Sequence, residues 1–159
     1  MKFLKILLLS VFLFTLFSCG RDDDICISAE ATPRLKLKFK TKATGKAKTL
    51  DSLFVNVDYG NGQIPVIATK TKTDSVFIPL RVDDAPFTKI YVGLSRAAIT
   101  SEVKINYTTK SEYVSPACGI KRVYENASAV LEVPNPVVDI EQNQTQITDE
   151  SKTHFFLLF

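Results

Sequence analysis

Tryptophan is absent from this 159-residue chain, histidine occurs once, at position 154, and glycine occurs only six times. Each scarcity removes a class of function. A lone imidazole leaves a Ser-His-Asp or Cys-His nucleophile without the partners it needs. The few glycines build no phosphate-binding loop, because Gly60-Asn61-Gly62 lacks a third glycine and a following helix. Neither Gly-x-Ser-x-Gly nor His-Glu-x-x-His occurs. Without tryptophan the chain lacks the residue that marks antibody domains, and one of the aromatic faces that sugar-binding proteins use. Sustained helical periodicity is also missing, and helix formers such as Ala and Leu are not clustered.

What the chain does have is a distinctive start. Lys2 and Lys5 precede an apolar run from Ile6 to Phe17, followed by Ser18-Cys19-Gly20 and the acidic triplet Asp22-Asp23-Asp24. This run of 12 residues spans only about 18 Å as a helix, too short for a hydrocarbon core of roughly 30 Å. A basic start, a short apolar core and a small residue before the cut describe a signal peptide. The segment resembles the bacterial lipobox, with Phe17 bulkier than the small residue usual two positions before the cysteine. That resemblance implies cleavage after residue 18 and acylation of Cys19, with two or three chains giving a stable anchor. The expected organisation is a lipoprotein signal peptide at 1–18, a lipidated cysteine and acidic tether at 19–31, and one domain at 32–159.

Removing residues 1–18 leaves 141 residues, enough for a real core. Lysine and arginine then number 18 against 17 acidic residues, so the excess of basic charge nearly vanishes and no nucleic-acid partner is indicated. The remaining charge is uneven along the chain: Arg34, Lys36, Lys38, Lys40, Lys42, Lys46 and Lys48 lie early, Asp139, Glu141, Asp149 and Glu150 late. This is read as a solvated strand face, the alternative being a basic surface for anionic glycans or headgroups. With Cys19 given to lipid, Cys26 and Cys118 remain, and an oxidising compartment favours a disulfide between them over two free thiols. These two and His154, widely separated in sequence, make a poor zinc set, and neither metal nor cofactor is expected.

The body alternates apolar and polar residues with a period of two: Leu35, Leu37, Phe39; Leu53, Val55, Val57; Val76, Ile78, Leu80; Ile90, Val92, Leu94; Val103, Ile105, Tyr107. Shorter runs follow at Leu131 and Val133, Val138 and Ile140, and Phe155, Leu157 and Phe159. Turn signals separate them at Gly60-Asn61-Gly62, Asp83-Asp84, Pro116 and Pro134-Asn135-Pro136. Asn61-Gly62 predicts a hairpin between 53–59 and 64–70. Pro33 favours a clean start to the first strand, and Pro79 places its strand at a sheet edge or bulge. Pro116 and Gly119 shape a turn around Cys118. The pattern predicts an all-β, antiparallel sandwich of immunoglobulin-like type. A small barrel is the structural alternative, since the aromatic C-terminus resembles the last strand of outer-membrane barrels, but most runs look shorter than the 9 to 11 residues a spanning strand needs.

Candidate chemistry is sparse. Asp58, Asp83, Asp84 and Glu112 are the carboxylates from which a glycosidase pair would have to come. Tyr59, Tyr91, Tyr107, Tyr113 and Tyr124 are the aromatic faces available for a sugar, or else half-buried strand residues with bonded hydroxyls. Arg34 and Arg81 are expected to pair with carboxylates. Asp51-Ser52-Leu53 and Asp74-Ser75-Val76 match a short O-glycosylation pattern of Bacteroidota envelope proteins, which names Ser52 and Ser75.

Cys26 with Thr32-Pro33-Arg34-Leu35-Lys36-Leu37-Lys38-Phe39, Asp74-Ser75-Val76-Phe77-Ile78-Pro79-Leu80-Arg81 and Glu112-Tyr113-Val114-Ser115-Pro116-Ala117-Cys118-Gly119 resemble a family of small uncharacterised Bacteroidota lipoproteins, a domain of unknown function. The resemblance spans most of the mature chain. It implies a bacterial envelope source and supports pairing of Cys26 with Cys118, and it brings no activity. Asp22, Asp23 and Asp24 are similar to the acidic signal that sends such lipoproteins to the cell surface. The expected function is a non-catalytic binding or structural module, lipid-anchored to the outer membrane and facing outward, with the periplasm-facing leaflet as the alternative. Its partners would be the membrane and either an envelope protein or a glycan. The alternative role is a glycan-binding or glycan-processing accessory of a nutrient-uptake system.

Overall fold

The computed structural model describes residues 31–116 and 118–159. The expectations placed on the signal peptide, Cys19, Asp22, Asp23, Asp24 and Cys26 lie outside the described residues. Nine strands follow one another: β1 (Leu35–Lys40), β2 (Leu50–Asp58), β3 (Gln63–Thr73), β4 (Ser75–Ile78), β5 (Phe87–Gly93), β6 (Ser101–Ser115), β7 (Gly119–Val133), β8 (Asp139–Gln142) and β9 (Phe155–Leu158). They form a four-stranded sheet in the order β4-β1-β9-β8 and a five-stranded sheet in the order β3-β2-β5-β6-β7. The fold is an all-β sandwich of two mainly antiparallel sheets, and the strands do not close into a barrel.

Period-two alternation builds the core. Leu35, Leu37 and Phe39 of β1 face inward, as do Leu53, Val55 and Val57 of β2, Ile90 and Val92 of β5, and Val103, Ile105 and Tyr107 of β6. Each fully buried aliphatic or aromatic side chain of this kind contributes about 1.5–3 kcal/mol of transfer free energy. The expected hairpin at Asn61-Gly62 joins β2 to β3, with Asp58 accepting the Gly60 and Gly62 amides at 2.7 and 3.2 Å. Pro79 follows directly on β4, an edge strand, where a missing amide donor costs no ladder hydrogen bond. Val138 departs from the predicted phase: it is exposed, and its neighbour Val137 takes the core position.

Strand β9 lies inside its sheet, parallel to β1 and antiparallel to β8. This places the early lysines beside the late carboxylates. Arg34 grips Glu150 through two bonds of 2.7 Å, Lys40 meets Glu141 at 2.8 Å and Lys42 pairs with Asp139. Arg34 and Lys36 also stand over the Phe77 ring, and Lys40 lies 3.8 Å from the centre of Phe156. The basic strand face is solvated and largely neutralised by its own sheet.

Strands β6 and β7 are longer than the alternation predicts, at 15 residues each, and project as a hairpin beyond the core. Gly119, with φ +69°, supplies left-handed backbone in its turn, and the Cys118 amide donates to Ser115 Oγ at 3.1 Å.

His154 locks the entry of β9 against β1. Its Nδ1 accepts the Lys36 amide at 2.8 Å while its own amide donates to the Lys36 carbonyl at 2.9 Å. Burial holds the imidazole below its ordinary pKa, opposed by Asp149. The unfolded chain takes up a proton near pH 6.5 that the folded chain resists, so this contribution to stability is complete above pH 6.5 and lost as pH falls below it. Denaturant titrations of the protein are expected to show an unfolding free energy that falls below pH 6.5 with a limiting slope of about 1.4 kcal/mol per pH unit. His154→Asn, which keeps an acceptor that does not titrate, is expected to flatten that dependence down to the carboxylate range; an unchanged slope would rule His154 out as its source.

Candidate functional site

Along β2 the outward phase carries an aromatic where a polar residue would be ordinary: Phe54, followed by Asn56. The register sets Asn56 between Pro65 of β3 and Tyr91 of β5, and Phe54 opposite Gly93. Phe54, Asn56 and Tyr91 are half-buried, and with Pro65, Ile67 and Ala68 of β3 they line a groove of about 360 Å³. Ser95, Arg96 and Thr100, from the β5–β6 connection, form its rim. Gly93 makes that rim possible, since a Cβ there would lie 3.1 Å from the Thr100 methyl.

The groove is apolar below and polar around. Asn56 Nδ2 donates to Gln63 Oε1 at 3.3 Å, Gln63 also hydrogen-bonds Tyr91, and burial raises the Tyr91 pKa. Arg34, Arg81 and Arg122 are each ion-paired, whereas Arg96 is exposed and makes no ion pair among the described residues. Beside the groove, Lys89 bridges Glu102 and Glu132, which keeps Glu132 below the usual carboxylate range. An aromatic face with amide and guanidinium donors at its rim suits a ligand that has a flat apolar side and hydroxyl or carbonyl edges.

The other tyrosines divide by environment. Tyr107 and Tyr124 are buried and meet edge to face at 4.8 Å. Tyr107 shares a 2.6 Å hydrogen bond with Thr88, Tyr124 donates to the Arg81 carbonyl at 3.1 Å, and Tyr59 donates to the Pro79 carbonyl at 3.2 Å. Desolvation raises the pKa of all three. They clasp the 79–83 segment, where Arg81 also pairs with Asp83 and lies over Gly60 so closely that a Cβ would approach its guanidinium to 2.9 Å. Tyr113 alone of the five is widely exposed, on the projecting hairpin.

The four candidate carboxylates are all engaged. Asp58 caps the β2–β3 turn, Asp83 pairs with Arg81, Asp84 with Arg122 at 3.4 Å, and Glu112 with Lys110 and Lys121 at 4.0 and 3.8 Å. No grouping of three metal-binding side chains occurs among the described residues. Ser52 and Ser75 lie half-buried on β2 and β4, the Ser52 hydroxyl donating to the Leu94 carbonyl and that of Ser75 to Asp74 at 3.0 Å. Cys118 is half-buried and is not a free thiol. The described residues contain no helix long and apolar enough to cross a membrane.

The sequence marks Tyr91 as an aromatic face and overlooks Phe54, Asn56 and Arg96. The outward placement of Phe54 in an otherwise alternating strand was the signal available. Tyr124→Phe is expected to cost about 1 kcal/mol in equilibrium unfolding without changing the fold, because the Arg81 carbonyl loses its donor; a neutral result would remove this clasp from the account.

Neither a curated protein nor a solved structure matches the chain. A family model matches residues 52–159, from within β2 through β9, which is about two thirds of the sequence. The chain therefore belongs to DUF6452, a family of unknown function.

Proposed function

We propose that the protein is a lipid-anchored, non-catalytic binding module of the bacterial outer membrane, and that the groove on β2, β3 and β5 is its binding face. The observation that carries the binding role is the grouping of outward Phe54 and Tyr91 with Arg96, which makes no ion pair among the described residues. Signal peptide cleavage after residue 18 exposes Cys19 for acylation, and Asp22, Asp23 and Asp24 direct the product to the cell surface. Cys26 pairs with Cys118, which removes about 4–5 kcal/mol of unfolded-state freedom in the chain-entropy model.

The groove favours a glycan as its ligand. A sugar ring offers a flat carbon face for Tyr91 and Phe54, and equatorial hydroxyls for Asn56 and Arg96. This makes the protein an accessory that holds glycan at the envelope, with the chemistry done elsewhere.

Two measurements test this reading. Intact mass of the protein purified from membranes is expected to show loss of residues 1–18 and acyl mass on Cys19, with Cys19→Ala found unacylated; an intact N-terminus would refute the anchor. On a glycan array, Tyr91→Ala and Arg96→Ala are each expected to weaken binding roughly tenfold, about 1.4 kcal/mol. Equal binding by both variants would move the ligand away from the groove.

A further inference from the structure

The β6–β7 hairpin ends in apolar surface that the core does not use. Tyr113 and Ile120 stand opposite one another in the ladder, 71% and 67% exposed, with exposed Pro116 between them in sequence. The surrounding charges answer one another: Lys110 and Lys121 with Glu112, Lys110 also with Glu125, and Arg122 with Asp84 and Ser111. The tip is therefore apolar and close to neutral.

The chain enters the fold beside this hairpin. Thr32 Oγ1 accepts the Arg122 amide at 2.9 Å, two residues from Ile120. Thirteen residues separate Thr32 from Cys19, a reach of at most about 45 Å. The proposed Cys26–Cys118 bond would shorten it, leaving seven residues and at most about 25 Å between the acylated cysteine and the hairpin turn. By contrast, the groove sits at the other end of β6: Tyr91 pairs with Glu102, eleven residues from Tyr113, or about 35 Å along the strand.

We infer that the tip of the β6–β7 hairpin rests in the headgroup region of the membrane that holds the lipid anchor, with Tyr113, Pro116 and Ile120 as its contact residues. Tyrosine suits that depth, having an apolar ring and a hydroxyl that stays wet. With the hairpin down, the groove is held about a strand's length from the bilayer. The inference rests on the anchor proposed above.

The absence of tryptophan makes a clean test. Full-length acylated protein carrying Tyr113→Trp, Ile120→Trp or Ile99→Trp is reconstituted into phosphatidylethanolamine and phosphatidylglycerol vesicles, with and without brominated acyl chains. Ile99 is 69% exposed and lies in the β5–β6 connection at the groove end, so it serves as the distant control. The expected result is blue-shifted emission, quenched by bromolipid, for the Tyr113→Trp and Ile120→Trp variants and neither effect for Ile99→Trp. Because the tip is near neutral, the quenching is expected to survive high salt. Flotation with the vesicles and acyl mass on Cys19, but no quenching at either hairpin position, would overturn the tip contact and leave the anchor standing. A blue shift without quenching would mean that protein, such as a second copy, covers the tip, and would also overturn it. Absence of acyl mass would refute the anchor itself, on a separate readout.

Discussion

The structure depends on one parallel pairing, that of β1 with β9. Without it β4 and β1 would be a two-stranded flap, β8 and β9 another, and the core would be open on one side. The pairing joins the first strand to the last. Its hydrogen bonds run from Leu37 and Phe155 to Lys40 and Leu158, and the buried residues on both strands, Leu37, Phe39, Phe155 and Leu157, complete the same layer. His154 fixes where β9 begins, because its ring and backbone bond the two polar groups of Lys36. The family match begins within β2, so β1, which fills the middle of this sheet, lies outside the matched segment.

The same pairing resolves the charge pattern. Lysines alternating along β1 and carboxylates on β8 and the 149–150 loop are remote in sequence and adjacent in space. Each exposed pair is worth little alone. As a set they favour one neighbour for β1 and leave the sheet's outer face nearly neutral. Lysine stems over Phe77 and Phe156 also cover aromatic surface that would otherwise be open to water. Among the described residues, the groove and the hairpin tip are places where outward aromatic side chains are not covered by cations.

Most of the architecture was legible because one face of each core strand is buried, and burial imposes the period of two. Leu35, Leu37 and Phe39 announce β1 directly, and the turn chemistry of Asn61-Gly62 announces the β2–β3 hairpin. Where no face is buried the signal disappears. Residues 108–113 extend β6 beyond the core, and their mixed polar sequence gives no periodicity to read. Adjacent Val137 and Val138 offer two phases of equal hydrophobicity, and only packing chooses the first. Sheet order is not encoded in periodicity at all, so the parallel position of β9 required the fold. The candidate site was half visible: Tyr91 stands out by type, but Asn56 and Arg96 acquire meaning only from register, when β3, β2 and β5 bring them around one groove.

Two ends with different surfaces give the molecule a direction. One end takes in the chain at Thr32 and presents a neutral apolar tip; the other presents a half-buried aromatic floor beside Arg96, which makes no ion pair among the described residues. Site-specific photo-crosslinking in living cells tests this polarity most directly, with the reactive group placed at position 96 in one strain and at position 113 in another. The account predicts that position 96 captures glycan or a single envelope component and that position 113 captures lipid. Capture of the same protein from position 113, or of lipid from position 96, would contradict it.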